Sequence, residues 1–98
     1  MRIYNVTMST PVGLKHGTME LNIADGKVRG ILSLLEHSEP FVGTVDSKGN
    51  CLICGQLITL MRTIHYTAVG CLTDHGIRLR LRGERSDFEI TGIEIKKE

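Results

Sequence analysis

The stretch Gly17-Thr18-Met19-Glu20-Leu21-Asn22-Ile23-Ala24-Asp25-Gly26-Lys27-Val28-Arg29-Gly30-Ile31-Leu32-Ser33-Leu34 decides the fold. Apolar and polar residues alternate on both sides of Asp25-Gly26, the period-two pattern of half-buried strands. Asp-Gly is a favoured two-residue hairpin turn because both of its central positions need φ > 0. Folding the segment about that turn sets Ile23 opposite Val28, Leu21 opposite Gly30 and Gly17 opposite Leu34. Within one hairpin, a large side chain twice faces a glycine.

Working outward, the same arrangement recurs. Gly17, Gly30, Gly43, Gly55, Gly70 and Gly83 fall about thirteen residues apart, with turn-forming clusters between them. The clusters are Thr10-Pro11-Val12-Gly13, Asp25-Gly26, Glu36 to Pro40, Asp46 to Asn50, Asp74-His75-Gly76 and Arg85-Ser86-Asp87. Each glycine lies on the inward face of its strand. The inward set runs from Tyr4, Val6 and Met8 through Met19, Leu21, Val28, Leu32, Phe41 and Ile53 to Tyr66, Leu79, Leu81, Phe88 and Ile90. The turn at 74–76 sets Leu72 against Ile77 and Gly70 against Leu79. Tyr66 then lies beside both Gly55 and Gly83.

Glycine weakens a flat strand, but it permits the sharp coiling a narrow barrel needs, and a large neighbour fills the missing volume. The expected fold is therefore all-β: an up-and-down antiparallel meander of about eight strands closed into a small barrel, with residues 1–98 as one domain. The parity break at Thr91-Gly92 reads as a β-bulge, leaving Ile93 and Ile95 in phase with each other. So many large inward residues predict a filled interior with little room for a ligand.

A net charge of +1 supplies no bulk field to attract nucleic acid or an anionic membrane. The N-terminus has no continuous apolar run of signal-peptide type, and nothing approaches membrane-spanning length, so the expectation is a cytoplasmic protein with no membrane partner. Three cysteines, an odd number, argue against a secreted disulfide framework.

The outward positions of the third to fifth strands are unusually apolar: Ile31, Leu35, Val42, Leu52, Cys54 and Ile58, continued by Leu60 and Met61. Side by side on the wall they form a patch of the kind that marks an interaction surface. The segment Thr59-Leu60-Met61-Arg62 must turn, yet it contains no Gly, Pro, Asn or Asp, which suggests that another molecule covers it. A homo-oligomer interface is the first expectation, and a different protein partner the next.

Cys51-Leu52-Ile53-Cys54, followed by Cys71 and His75, resembles a four-ligand zinc spacing. Strand parity opposes that reading, because Cys51 and Cys54 point to opposite faces; free thiols packing as small hydrophobes are the simpler account. Arg78, Arg80 and Arg82 alternate along the outer wall, a stripe that suits phosphate or nucleic acid. Stacking aromatics are nearly absent, and a solvated face with pairs such as Arg82 to Glu89 explains the stripe as well. His16, His37, His65 and His75 have no nucleophile or carboxylate at a recognisable spacing. The sequence therefore predicts no catalytic residues, no metal and no cofactor.

The units Thr10-Pro11-Val12-Gly13, Gly17-Thr18-Met19-Glu20-Leu21, Gly30-Ile31-Leu32, Phe41-Val42-Gly43-Thr44-Val45 and Gly55-Gln56-Leu57 resemble a family of small bacterial barrels. Members are lipocalin-like or streptavidin-like in architecture, and similar modules are appended to some flavin-dependent oxidoreductases. The resemblance covers most of the chain and implies a barrel without implying catalytic residues. Three functions are thus weighed. The first is a non-enzymatic domain that self-associates or docks through its wall. The second is a small-ligand carrier using a barrel mouth. The third is a metal or enzymatic site built on Cys51, Cys54, Cys71 and His75.

Overall fold

The computed structural model describes residues 1–59 and 61–97, with only the backbone at 96 and 97. Its strands are β1 (Arg2–Thr10), β2 (Gly13–Ala24), β3 (Lys27–Leu34), β4 (His37–Val45), β5 (Asn50–Ile58), β6 (Thr63–Leu72), β7 (Gly76–Arg82) and β8 (Asp87–Lys97). Each pairs antiparallel with the next, and β8 returns to β1, so the meander closes. Closure satisfies the backbone groups that an open sheet would leave at two edges.

The hairpin about Asp25-Gly26 has the expected register, with Ile23 opposite Val28 and Leu21 opposite Gly30. Asp25 and Gly26 both take positive φ (53° and 75°), as a type I′ turn requires. Leu72 faces Ile77, Gly70 faces Leu79, Cys51 faces Gly70 and Gly55 faces Tyr66.

The inward glycines are needed for close approach. At Gly70 an added Cβ would overlap the Arg78 carbonyl oxygen, and at Gly55 it would lie 2.6 Å from the Tyr66 hydroxyl. The ring of Tyr66 therefore occupies the volume that Gly55 leaves. Burial in this contact pushes the Tyr66 phenol up to about 12. Tyr4, Met19, Leu21, Ile53, Leu79 and Ile90 complete a core almost sealed from solvent. Each such side chain contributes roughly 1.5–3 kcal/mol on burial.

Four sequence expectations are corrected. The inward parity of β8 does not break at Thr91-Gly92: Gly92 is buried beneath Val6 and Ile77, while Ile93 and Ile95 face outward and are exposed. The irregularity lies further on, between Ile3 and Tyr4, where Tyr4 pairs with Glu94 and Ile3 with Lys96, leaving Ile95 as the extra residue. Arg82 faces Asp87, and Glu89 faces Arg80 instead. Ile23 keeps its inward phase but lies at the end of the barrel, where it is 39% exposed. The third turn is Leu35-Glu36, with Leu34 pairing directly to His37, so His37 to Pro40 belong to β4.

Pro40 has a structural consequence. The β4–β5 ladder stops at Phe41 opposite Gly55, although β4 continues for four residues and β5 for three beyond that pair. The Val45 amide donates to the Gly26 carbonyl on the β3 side, at 2.9 Å. Strict alternation from there aims position 40 toward β5, where proline offers no N–H. The two strands part there, and the Gln56 side-chain amide reaches across the seam to the Glu39 carboxylate.

Candidate functional site

The turns β1–β2, β3–β4, β5–β6 and β7–β8 all lie at one end of the barrel, and they surround an open cavity of about 820 Å³. The expectation of a filled interior therefore fails at this end. Large inward residues do fill the middle and the opposite end. Near the mouth, however, the β4–β5 ladder ends early and inward Met8, Leu57 and Ile64 face the cavity.

These three form the cavity floor, all buried, with half-buried Phe88 and Leu35 beside them. The β1–β2 register pairs Met8 with Lys15, so Lys15 shares the inward phase of Gly17 and Met19 and is half-buried at the rim. No ion pair or hydrogen bond holds its ammonium among the described residues. His16 and His37 also line the rim, and the His16 Nδ1 is engaged by the Thr7 hydroxyl at 3.2 Å on the outward phase of β2. Val12 and Met61 add apolar lip residues, both exposed by more than four-fifths (83% and 90%).

Two turns shape this mouth in ways sequence reading missed. Leu35 and Glu36 form their two-residue turn with φ of 56° and 68°, a left-handed conformation that branched and bulky residues enter at a cost. The turn at 59–62 is closed by Thr59. Its backbone N–H and its hydroxyl both donate to the Arg62 carbonyl at 2.9 Å, and its Oγ1 accepts the amides of Met61 and Arg62. The same threonine device closes 10–13 and 73–76. A hydroxyl thus does what Gly or Pro does elsewhere, so this turn needs no covering partner to explain it.

The residues expected at an interface divide. Ile31, Val42, Leu52 and Cys54 share the outer wall and are exposed. Val42 faces Cys54, and Leu52 faces Val69, an apolar wall residue that outward alternation on β6 could have revealed. Leu35 is instead a mouth residue packed against the core, and Ile58 is half-buried where β5 ends. Met61 belongs to the lip, and Leu60 lies outside the described residues.

Cys51 is buried inside the barrel, whereas Cys54 and Cys71 are exposed outside it, so the thiols do not converge with His75 on one point. Burial pushes the Cys51 thiol up. The Arg78, Arg80 and Arg82 stripe lies outward, with Asp87 and Glu89 facing two of its members.

The opposite end is polar within. Tyr4 pairs with Glu94, and both project inward with a buried oxygen that makes no well-aligned hydrogen bond among the described residues. Arg2 sits beside them; the Tyr4 hydroxyl raises the guanidinium's pKa, while burial raises that of the phenol.

No protein-family profile matches the chain, and no curated protein matches it. Among solved structures, a redesigned beta barrel superimposes with a TM-score of 0.63 over 98% of this chain and 90% of its own, at 12% identity. At that identity the likeness concerns the fold: a small, eight-stranded antiparallel barrel.

Proposed function

We propose that this protein is a small-ligand-binding barrel whose site is the mouth cavity. The observation that carries the reading is the cavity itself: about 820 Å³, with an apolar floor of Met8, Leu57, Ile64 and Phe88 and a few polar groups at the rim. Small-molecule sites typically enclose about 300–1,000 Å³ and have this mixture of apolar lining and sparse polar groups. The resemblance to lipocalin-like barrels, which hold ligands at one open end, agrees with this reading. Water over the apolar floor makes few hydrogen bonds, so an apolar molecule gains free energy by displacing it.

The neutral fluorophore N-phenyl-1-naphthylamine tests this. One saturable site per chain is expected. Leu57→Trp, which fills the floor, and Met61→Asp, which charges the lip, should each weaken binding at least tenfold. Leu52→Asp, on the outer wall, should leave it unchanged. Met61 is so exposed that its variant keeps the fold, and circular dichroism checks this for all three. Binding lost in Leu52→Asp but kept in the mouth variants would refute the reading, as would the absence of saturable binding.

A second reading is self-association through the wall, favoured by the contiguous Ile31, Val42, Leu52, Cys54 and Val69, whose exposures run from 40% at Ile31 to 56% at Val42 among the large aliphatics. The two readings are compatible, since the wall and the mouth are separate surfaces.

A further inference from the structure

We infer that the mouth takes a linear amphiphile with a carboxylate head, its head held by Lys15 at the rim and its tail laid over Leu57, Ile64 and Phe88. The inference rests on the mouth-cavity reading and names the ligand class for that same site.

The argument begins with Lys15. A lysine on a strand's inward phase is uncommon, because removing an ammonium from water is costly unless a counter-charge compensates. Lys15 is nevertheless directly opposite buried Met8, half-buried, and lines the cavity without an ion-pair partner among the described residues. The carboxylate on the lining, Glu36, sits exposed in its left-handed turn and makes no bond to Lys15. An inward ammonium over an apolar floor has the charge that an acidic head requires and a cationic head would be repelled by.

One imidazole strengthens the assignment. His37, opposite inward Leu34, lines the same rim and can donate an N–H to an oxyanion. His16 touches the lining from the outward phase of its strand, where its Nδ1 is engaged by Thr7. Below the rim the wall is hydrocarbon and thioether, which offers an alkyl chain dispersion contacts and no polar partner. Head and tail are thus specified by opposite layers of one cavity.

The experiment is displacement of N-phenyl-1-naphthylamine at pH 7.5 by decanoate, decanol and decyltrimethylammonium, on the wild type and on Lys15→Gln. Decanoate should displace the probe at least tenfold more effectively than decanol, and decyltrimethylammonium least well. Lys15→Gln should bring decanoate level with decanol, each protein's displacement being read against its own measured affinity for the neutral probe. If the probe binds but decanoate and decanol compete equally on the wild type, the carboxylate assignment is wrong and the mouth-cavity reading survives. An unchanged preference for decanoate in Lys15→Gln removes Lys15 as the head-group residue and overturns the inference as stated. If the probe itself shows no saturable site, both fall together.

Discussion

At the scale of single residues, the mouth is shaped by side chains in unfavourable places. Lys15 stands on an inward phase, and Leu35 and Glu36 hold left-handed backbone that glycine or asparagine would adopt more easily. For an L-residue that conformation costs roughly 1–2 kcal/mol. Backbone strain of this kind gathers at functional sites, where the surroundings hold it in place. Glu36→Gly should therefore raise stability by about 1 kcal/mol, read as a higher urea midpoint at unchanged slope. A lower midpoint would mean that the Glu36 side chain stabilises the turn by contacts outweighing its strain. Neither Lys15 nor this turn was legible in the sequence. Lys15 precedes the first inward glycine of its strand and so fell outside the alternating apolar set. Leu-Glu carries no turn signal, and its conformation is imposed by the pairing of Leu34 with His37.

At the scale of elements, the strand count, order and central registers follow from alternation and turn chemistry. The exceptions arise where a local device overrides the pattern. Thr59 closes a turn with its hydroxyl, which explains why a segment without Gly, Pro, Asn or Asp can still reverse direction. Pro40 removes one donor and with it the outer pairs of the β4–β5 ladder. Restoring that donor with Pro40→Thr should extend the ladder to Gln56 and Ile58 and narrow the mouth. Hydrogen exchange at the amides of residues 40 and 58 should then slow at least tenfold relative to unpaired backbone. Free exchange at both positions in the variant would show that something other than the missing N–H parts the strands. The misplaced bulge has a similar origin: Gly92 was not recognised as an inward glycine, though Val6 and Ile77 pack over it just as Tyr66 packs over Gly55.

At the scale of the whole molecule, the barrel has a packed middle, a polar inner end at Arg2, Tyr4 and Glu94, and an open apolar end. Its outer surface is also uneven, with the apolar wall of β3 to β6 next to the arginine stripe of β7. A stable protein interface needs about 800 Å² from each partner, centred on residues that exclude water. If Leu52 and Val69 lie at such a centre, the wild type sediments as a homo-oligomer at micromolar concentration. Leu52→Asp should convert it to a monomer with an unchanged circular dichroism spectrum. A wild type that stays monomeric up to its solubility limit would leave the wall without this role, and the ligand reading would be untouched.

By itself the sequence determined the eight-strand meander and, for most strands, which face is buried, and its inward glycines argued for a closed sheet that the structure then showed. Those properties depend on short-range alternation and on glycines that make sense only beside a large neighbour across a tightly coiled ladder. Tertiary structure alone decided where the interior is empty. A cavity is a difference between the volume enclosed and the volume filled. The enclosed volume depends on strand stagger, on the seam at Pro40 and on how four separate turns meet at one end, relations that no local stretch of the chain contains.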